Sequence, residues 1–121
     1  MNVNFQITKN FEKDSKKFGT NDKQTISKSI NTYCALLIQK GKVRSRQLYQ
    51  PHLIKLSGNL DSSLYVLKAA RHIRVILTID EDPIFDQFII TLLRVVNTEE
   101  AERAYMSASQ SLYQPIFAQA R

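Results

Sequence analysis

Residues 64–80 read LYVLKAARHIRVILTID, and this stretch decides the fold. Its apolar runs predict two neighbouring β-strands, about Ser63–Ala69 and Ile73–Asp80. A basic cluster lies where the second strand begins, and its members are Lys68, Arg71, His72 and Arg74. Strands usually place charge on their solvent side, so the cluster predicts a positive sheet face. Such a face suits the binding of a phosphate backbone.

Arg74 is predicted to lie on the less apolar face of its strand. Side chains alternate along a strand, so Ile73 and Val75 point into a core while Arg74 points the other way. A guanidinium on a rigid strand is preorganised to hold phosphate. The alternative is a structural ion pair with one of four nearby acids, Asp80, Glu81, Asp82 and Asp86. His72 is a candidate general acid or base, although a lone histidine is more often incidental.

Length and charge indicate one small basic domain. The chain has 121 residues and a formal net charge of +6. This length suits a single core, expected over 1–113, followed by a C-terminal tail at 114–121 for which disorder is an open alternative. The charge favours a polyanionic partner, and solubility alone is the plain alternative. Cys34 is the only cysteine, which excludes an internal disulfide and predicts a small core residue. With no leader or membrane span predicted, a cytoplasmic protein is expected.

The first part of the chain predicts a strand and two helices. An apolar residue at every second position predicts a strand with one buried face at 3–7. Asn10 is a plausible N-cap for a short helix at 11–18. A second helix is predicted from about Asn21 to Gly41, because its apolar residues follow helical spacing.

The second part of the chain predicts a central strand and a last helix. The strand, about Phe85–Val96, is apolar on both faces, with Leu93 and Val95 assigned to the same one. Asn97 and Glu100 form a capping-box pattern that predicts the start of the helix, and Pro115 is expected to end it. The predicted element order is β-α-α-β-β-β-α.

A second basic stretch lies between Asp22 and Asp61, where no acidic residue occurs. A surface of one sign attracts phosphates through counterion release. The candidate RNA-binding residues in this stretch are Lys42, Arg44, Arg46 and Lys55. Tyr49 and His52 lie among them and could stack on bases. The alternative is a solvated helix face followed by a basic loop.

The motifs of several other enzyme classes are missing. The sequence has no Gly-x-Ser-x-Gly motif and no glycine-rich phosphate loop. The acids between Asp80 and Asp86 lack the loop spacing and the glycine of an EF-hand. We therefore predict no metal and no other cofactor.

Three segments resemble the RelE/ParE superfamily of toxins from bacterial toxin–antitoxin pairs. Residues 3–14 look like that family's first strand running into a Phe-x-Lys-Asp motif. Residues 64–68 are similar to its Leu-Tyr-x-Leu-Arg motif, with Lys68 in place of the arginine. Residues 72–77 resemble its Tyr/His-Arg-x-x-Tyr/Phe strand, with one residue inserted. The resemblance rests on the order and spacing of these segments.

The resemblance implies a RelE-like α+β fold, in which a curved antiparallel sheet is backed by a helical hairpin and a C-terminal helix. It also implies a toxin that is held inactive by a cognate antitoxin protein. RelE-like members cleave mRNA in the ribosomal A site without a metal, with the 2′-OH as the attacking group. The first hypothesis is therefore a ribosome-dependent endoribonuclease that inhibits translation. ParE-like members bind DNA gyrase instead.

The resemblance also implies roles for individual side chains. The candidate catalytic residues are Lys68, Arg71, His72, Arg74, Arg94 and Tyr105. The lysine and the arginines would clamp phosphate and stabilise charge, and the histidine or the tyrosine would move protons. The family's arginine or histidine after the last strand is missing, because Asn97, Thr98 and Glu99 stand there. That departure keeps two alternatives open: a ParE-like non-catalytic gyrase inhibitor, and a non-toxic member that only binds its partner.

Overall fold

The structure, a computed structural model, describes residues 2–40, 47–51 and 62–119. Within these ranges the elements follow the predicted order, with one short strand added. The strands are β1 (Asn2–Ile7), β2 (Leu48–Tyr49), β3 (Leu64–Ala70), β4 (Ile73–Asp82) and β5 (Gln87–Asn97). The helices are α1 (Lys9–Ser15), α2 (Thr20–Lys40) and α3 (Ala101–Gln119), the last preceded by a 3-10 turn at Thr98–Glu100.

The five described strands form one sheet in the order β1-β5-β4-β3-β2. Neighbouring strands from β5 to β2 are antiparallel, and β1 is added parallel to the outer side of β5. The predicted α+β class is confirmed, and the parallel edge strand is a feature that the prediction lacked. No helix in the described part of the chain is long and apolar enough to cross a membrane.

Both faces of the sheet are covered, whereas the two-sided apolar pattern of β5 predicted a central strand with helices on at least one side. One face packs against α1 and α2, and its buried core includes Phe11, Ile26, Ile30, Cys34, Leu67, Val75, Leu77, Phe88, Ile90 and Val95. The other face packs against α3. The buried residues there form a second core, which consists of Leu64, Val66, Ile76, Val96, Ala104 and Tyr105. Burial raises the pKa of the Cys34 thiol to about 11, which fits the predicted small core residue.

An irregular register in β5 corrects the predicted alternation of that strand. Ile76 pairs with Arg94 and Leu77 pairs with Leu92, so Leu93 is the extra residue of a β-bulge. The bulge places Leu93 against the second core and Val95 in the first. The prediction that these two side chains share a face was wrong, because it assumed strict alternation.

The predicted helix ends need three corrections. Thr8, and not Asn10, caps α1, since its Oγ1 accepts a hydrogen bond from the Phe11 N–H at 3.2 Å and donates to the Leu92 carbonyl at 2.9 Å. Asn97 makes no capping hydrogen bond with its side chain, because the chain enters α3 through a 3-10 turn. The backbone of α3 continues past Pro115, at the cost of one backbone donor.

The apolar face of β1 is less covered than predicted. Phe5 is 39% exposed and Ile7 is 56% exposed, although both belong to the face that was expected to be buried. The reason is the position of β1 at the sheet edge, because α2 packs mainly over β3.

Candidate functional site

The four basic residues of the 64–80 stretch lie together at one end of the sheet. Lys68 and Arg74 are directly opposite each other across the β3–β4 pair, so their side chains share a face. Arg71 and His72 form the turn that joins the two strands, and both are exposed. The sequence therefore predicted this grouping correctly, and we refer to these four residues as the basic turn.

Arg74 organises the backbone of the basic turn. Its Nη1 group donates to the carbonyl oxygens of Ala70 at 2.7 Å, Ile73 at 3.1 Å and Arg71 at 3.5 Å. No described carboxylate pairs with it, so the structure does not show the ion pair that was the alternative. The guanidinium instead holds three carbonyl dipoles, and hydrogen bonds of this charge-assisted kind are strong.

Thr98 also holds the basic turn in place. Its backbone N–H donates to the His72 carbonyl at 3.0 Å, and its Oγ1 donates to the Arg71 carbonyl at 3.4 Å. The turn is thereby attached to the junction between β5 and α3. Sequence analysis treated Thr98 only as a substitute for a missing arginine. Its place directly after the last strand was the signal that it lies beside the turn.

The basic turn concentrates positive charge at one end of the sheet. Lys68, Arg71, His72 and Arg74 make no ion pair with any carboxylate in the described ranges. Like charges directly opposite on paired strands are destabilising, so Lys68 and Arg74 repel each other. A bound anion would relieve this repulsion, and the basic turn is therefore suited to bind a phosphate.

A cleft of about 390 Å³ opens beside the basic turn. The end of α1, the start of α2, the turn and the β5–α3 junction all contribute to its walls. Its charged and polar lining residues are Asp14, Lys17, Asp22, Arg71, His72, Asn97 and Glu100. Its apolar surface is formed by Phe18, Ala70, Ile73, Val95 and Val96. Apart from the two turn residues, sequence analysis had assigned none of the charged ones to a site.

Arg94 lies in a structural ion pair. Its Nε donates to Asp14 Oδ2 at 2.6 Å and its Nη2 to Asp14 Oδ1 at 3.1 Å, and this bidentate contact raises the pKa of Arg94. Asp14 is buried and also accepts the Val95 N–H at 3.1 Å. The carboxylate thus covers the edge of β5 beyond the end of β1. The charge of Arg94 is therefore already paired, and its assisting role in catalysis stays a prediction.

Tyr105 is not at the surface. Its side chain is 0% exposed in the second core, and its hydroxyl lies 3.5 Å from the Leu64 carbonyl. A proton on this hydroxyl cannot reach a bound RNA unless α3 moves. The structure therefore does not bring Tyr105 together with the basic turn, in contrast to what the resemblance implied.

The predicted RNA-binding residues Lys42, Arg44, Arg46 and Lys55 lie outside the described residues, as does His52. Tyr49 is described, and it packs against the second core. No group of three or more potential ligand residues within the described ranges could hold a metal ion.

Comparison with known proteins gives little beyond this geometry. No protein family matches the sequence, and no curated protein does. Among solved structures, the chain is similar to the YoeB dimer from Staphylococcus aureus, with 21% identity and a TM-score of 0.46. The similarity covers 78% of this chain and 97% of that chain.

Proposed function

We propose that the chain is the toxin of a bacterial toxin–antitoxin pair and that it cleaves mRNA on the ribosome. The observation that carries this proposal is the basic turn, in which four basic side chains meet without a carboxylate partner among the described residues. The reaction class comes from the sequence resemblance to the RelE/ParE superfamily. A ribosome-bound mRNA supplies the polyanion that such a surface attracts.

Cleavage of RNA without a metal requires charge stabilisation and proton transfer. The 2′-oxygen attacks the neighbouring phosphorus, the bond to the 5′-oxygen breaks, and a proton moves from the first oxygen to the second. Lys68 and Arg71 would stabilise the charge on the phosphate, with Arg74 holding the turn and adding its own charge. His72 is exposed beside them and is the proposed proton-transfer group.

The cognate antitoxin is proposed as the partner that neutralises this surface, in the cytoplasm. An acidic segment would complement the net charge of +6 and the unpaired basic turn. Once bound, it would block access of RNA to Lys68 and Arg71. The basic residues between 42 and 55 remain candidates for contact with ribosomal RNA.

A second candidate, a non-catalytic inhibitor of DNA gyrase, is favoured by one specific observation. Three of the six candidate catalytic side chains are engaged elsewhere: Arg74 by the turn carbonyls, Arg94 by Asp14, and Tyr105 by the second core. Proton transfer then depends on His72 alone. The same observation fits a non-toxic member that only binds its partner.

Mapping of mRNA 5′ ends in bacteria shortly after induction of the chain tests the proposal. New ends clustered inside translated codons are expected, and they should disappear in a His72→Ala variant that accumulates to the same level. A supercoiling assay with purified gyrase runs in parallel. Gyrase inhibition without new mRNA ends would replace the proposal by the second candidate. The absence of both effects would favour the non-toxic member.

A further inference from the structure

The cleft beside the basic turn is lined by side chains of both charges that do not pair with one another. Lys17 and Arg71 face it together with Asp22 and Glu100. None of the four makes an ion pair with a described residue, although the Glu100 carboxylate also interacts electrostatically with Arg94. Groups of opposite charge that border one small cleft without closing on each other leave both donors and acceptors available to a ligand.

The two carboxylates restrict what that ligand can be. Asp22 enters from the first turn of α2, and Glu100 enters from the 3-10 turn before α3. Carboxylates repel phosphate and accept hydrogen bonds from N–H groups. A ligand that fits must therefore carry N–H donors toward the carboxylates and negative charge toward Lys17 and Arg71.

A nucleotide meets this description, and the size and surface of the cleft agree. The cleft holds about 390 Å³, near the lower end of the roughly 300–1,000 Å³ that small-ligand pockets span. Phe18 is half-buried in its wall, and an aromatic ring of this kind offers a surface for stacking a base. The ligand would lie with its base in the cleft and its phosphate at the turn.

Guanine is the base whose edge best matches a carboxylate. It presents two adjacent donors, N1–H and the N2 amino group, and a carboxylate can accept from both at once. In adenine and cytosine the amino donor lies next to a ring nitrogen acceptor, which repels the second carboxylate oxygen. In uracil the single N–H donor lies between two carbonyl acceptors. The acidic lining therefore selects guanine by electrostatics and by hydrogen-bond geometry.

We propose that this cleft is a guanine-binding subsite, with Asp22 and Glu100 as the acceptors, Phe18 as the stacking surface and Arg71 as the phosphate contact. This inference deepens the proposed function, on which it rests for its biological meaning: mRNA would be cut next to a guanosine. Binding of a free nucleotide can be tested without ribosomes or cleavage.

The experiment titrates the full-length, 15N-labelled chain with 5′-GMP and separately with 5′-UMP, and follows the amide signals by NMR. Both nucleotides carry the same phosphate, so their difference reports on the base. We expect saturable shifts at Phe18, Asn97 and neighbouring residues, with 5′-GMP binding about tenfold more tightly than 5′-UMP.

Two isosteric variants locate the acceptor. Asp22→Asn, Glu100→Gln, or both together should reduce the preference for 5′-GMP over 5′-UMP to near equality. The control is Asp80→Asn, an exposed acid on β4 outside the cleft, which should keep the full preference. The same spectra show whether each variant is folded.

Equal binding of the two nucleotides, no saturable shift with either one, or a preference that survives the double variant would each overturn the subsite. These outcomes are separate from those of the mRNA mapping. A chain that prefers 5′-GMP but cuts no mRNA would retain the subsite and refute the nuclease. A chain that cuts mRNA without preferring 5′-GMP would retain the nuclease and refute the subsite.

Discussion

At the scale of single residues, Arg74 shows how one side chain can serve both structure and binding. Its Nη1 group fixes the carbonyls of Ala70, Arg71 and Ile73, and its charge adds to that of Lys68 across the strand pair. All three contacts come from the one nitrogen, so its two N–H groups are shared among the carbonyls, at the end of a planar group that a lysine ammonium does not reproduce. Arg74 is therefore a positioning residue for the turn as well as a source of positive charge.

Replacement of Arg74 by lysine separates these two roles. Arg74→Lys keeps the charge and loses the planar donors, so we expect mRNA cleavage to fall at least about tenfold while stability falls by about 1 kcal/mol. Cleavage of ribosome-bound mRNA and urea unfolding measure the two effects. Lys68→Arg is the matched control, because it keeps its charge at an exposed site with no backbone carbonyl to hold. Full activity in Arg74→Lys would show that only the charge matters.

The burial of Tyr105 gives a second prediction at this scale. Tyr105→Phe removes the hydroxyl and keeps the ring in the second core, so it should leave mRNA cleavage unchanged and cost about 1 kcal/mol of stability. Single-turnover cleavage rates and denaturant unfolding test it. A folded Tyr105→Phe protein without activity would instead restore the tyrosine as a proton-transfer residue and require α3 to move during the reaction.

At the scale of elements, the Asp14 carboxylate joins α1 to the uncovered edge of β5. It accepts hydrogen bonds from the Arg94 guanidinium and from the Val95 N–H, which has no neighbouring strand on the β1 side because β1 ends at Ile7. Asp14→Asn should lower the free energy of unfolding by about 2 kcal/mol, since the paired guanidinium loses its charge partner. Denaturant unfolding measures this change. Glu12→Gln, an exposed acid of the same helix, is the control and should change stability by less than about 0.5 kcal/mol.

The β4–β5 turn carries a pH-dependent contact. Asp82 accepts hydrogen bonds from Gln87 Nε2 and from the backbone N–H groups of Ile84 and Phe85, and these bonds lower its pKa below the ordinary 3.8. Because the folded pKa is the lower one, the stabilisation is present above the ordinary value and is lost as pH falls through the folded pKa. The Ile84 and Phe85 amide signals should therefore shift with a midpoint below 3.8. In Asp82→Asn the shift should vanish, and its persistence would refute this assignment.

The elements also show what the sequence could and could not predict. The basic turn follows from Lys68, Arg71, His72 and Arg74 because a short hairpin brings its two ends together wherever the strands pair. The bulge at Leu93 could not be predicted, because one extra residue in a uniformly apolar strand does not change its apolar pattern. The same holds for the arrangement of distant segments. The contact of Asp14 with Arg94 and the presence of Asp22 and Glu100 in one cleft are set by packing and not by spacing.

At the scale of the whole molecule, one end of the sheet bears the basic turn and the other end bears acids. Along β4 the charge changes from Arg74 to Asp80, Glu81 and Asp82. The net charge of +6 would favour polyanionic partners, and this asymmetry would orient the chain with the turn toward the phosphates. The central claim is that the basic turn acts on RNA.

Cleavage of ribosome-bound mRNA by the purified protein, read by primer extension, tests this claim most directly. The double variant Lys68→Ala/Arg71→Ala removes two exposed charges of the turn, and Lys9→Ala/Lys28→Ala removes two exposed charges from the helices. The account predicts cleavage by the wild type and by the helix variant, and a loss of at least about a hundredfold in the turn variant, whose fold should be intact. Equal cleavage by both double variants, or none by the wild type, would contradict it.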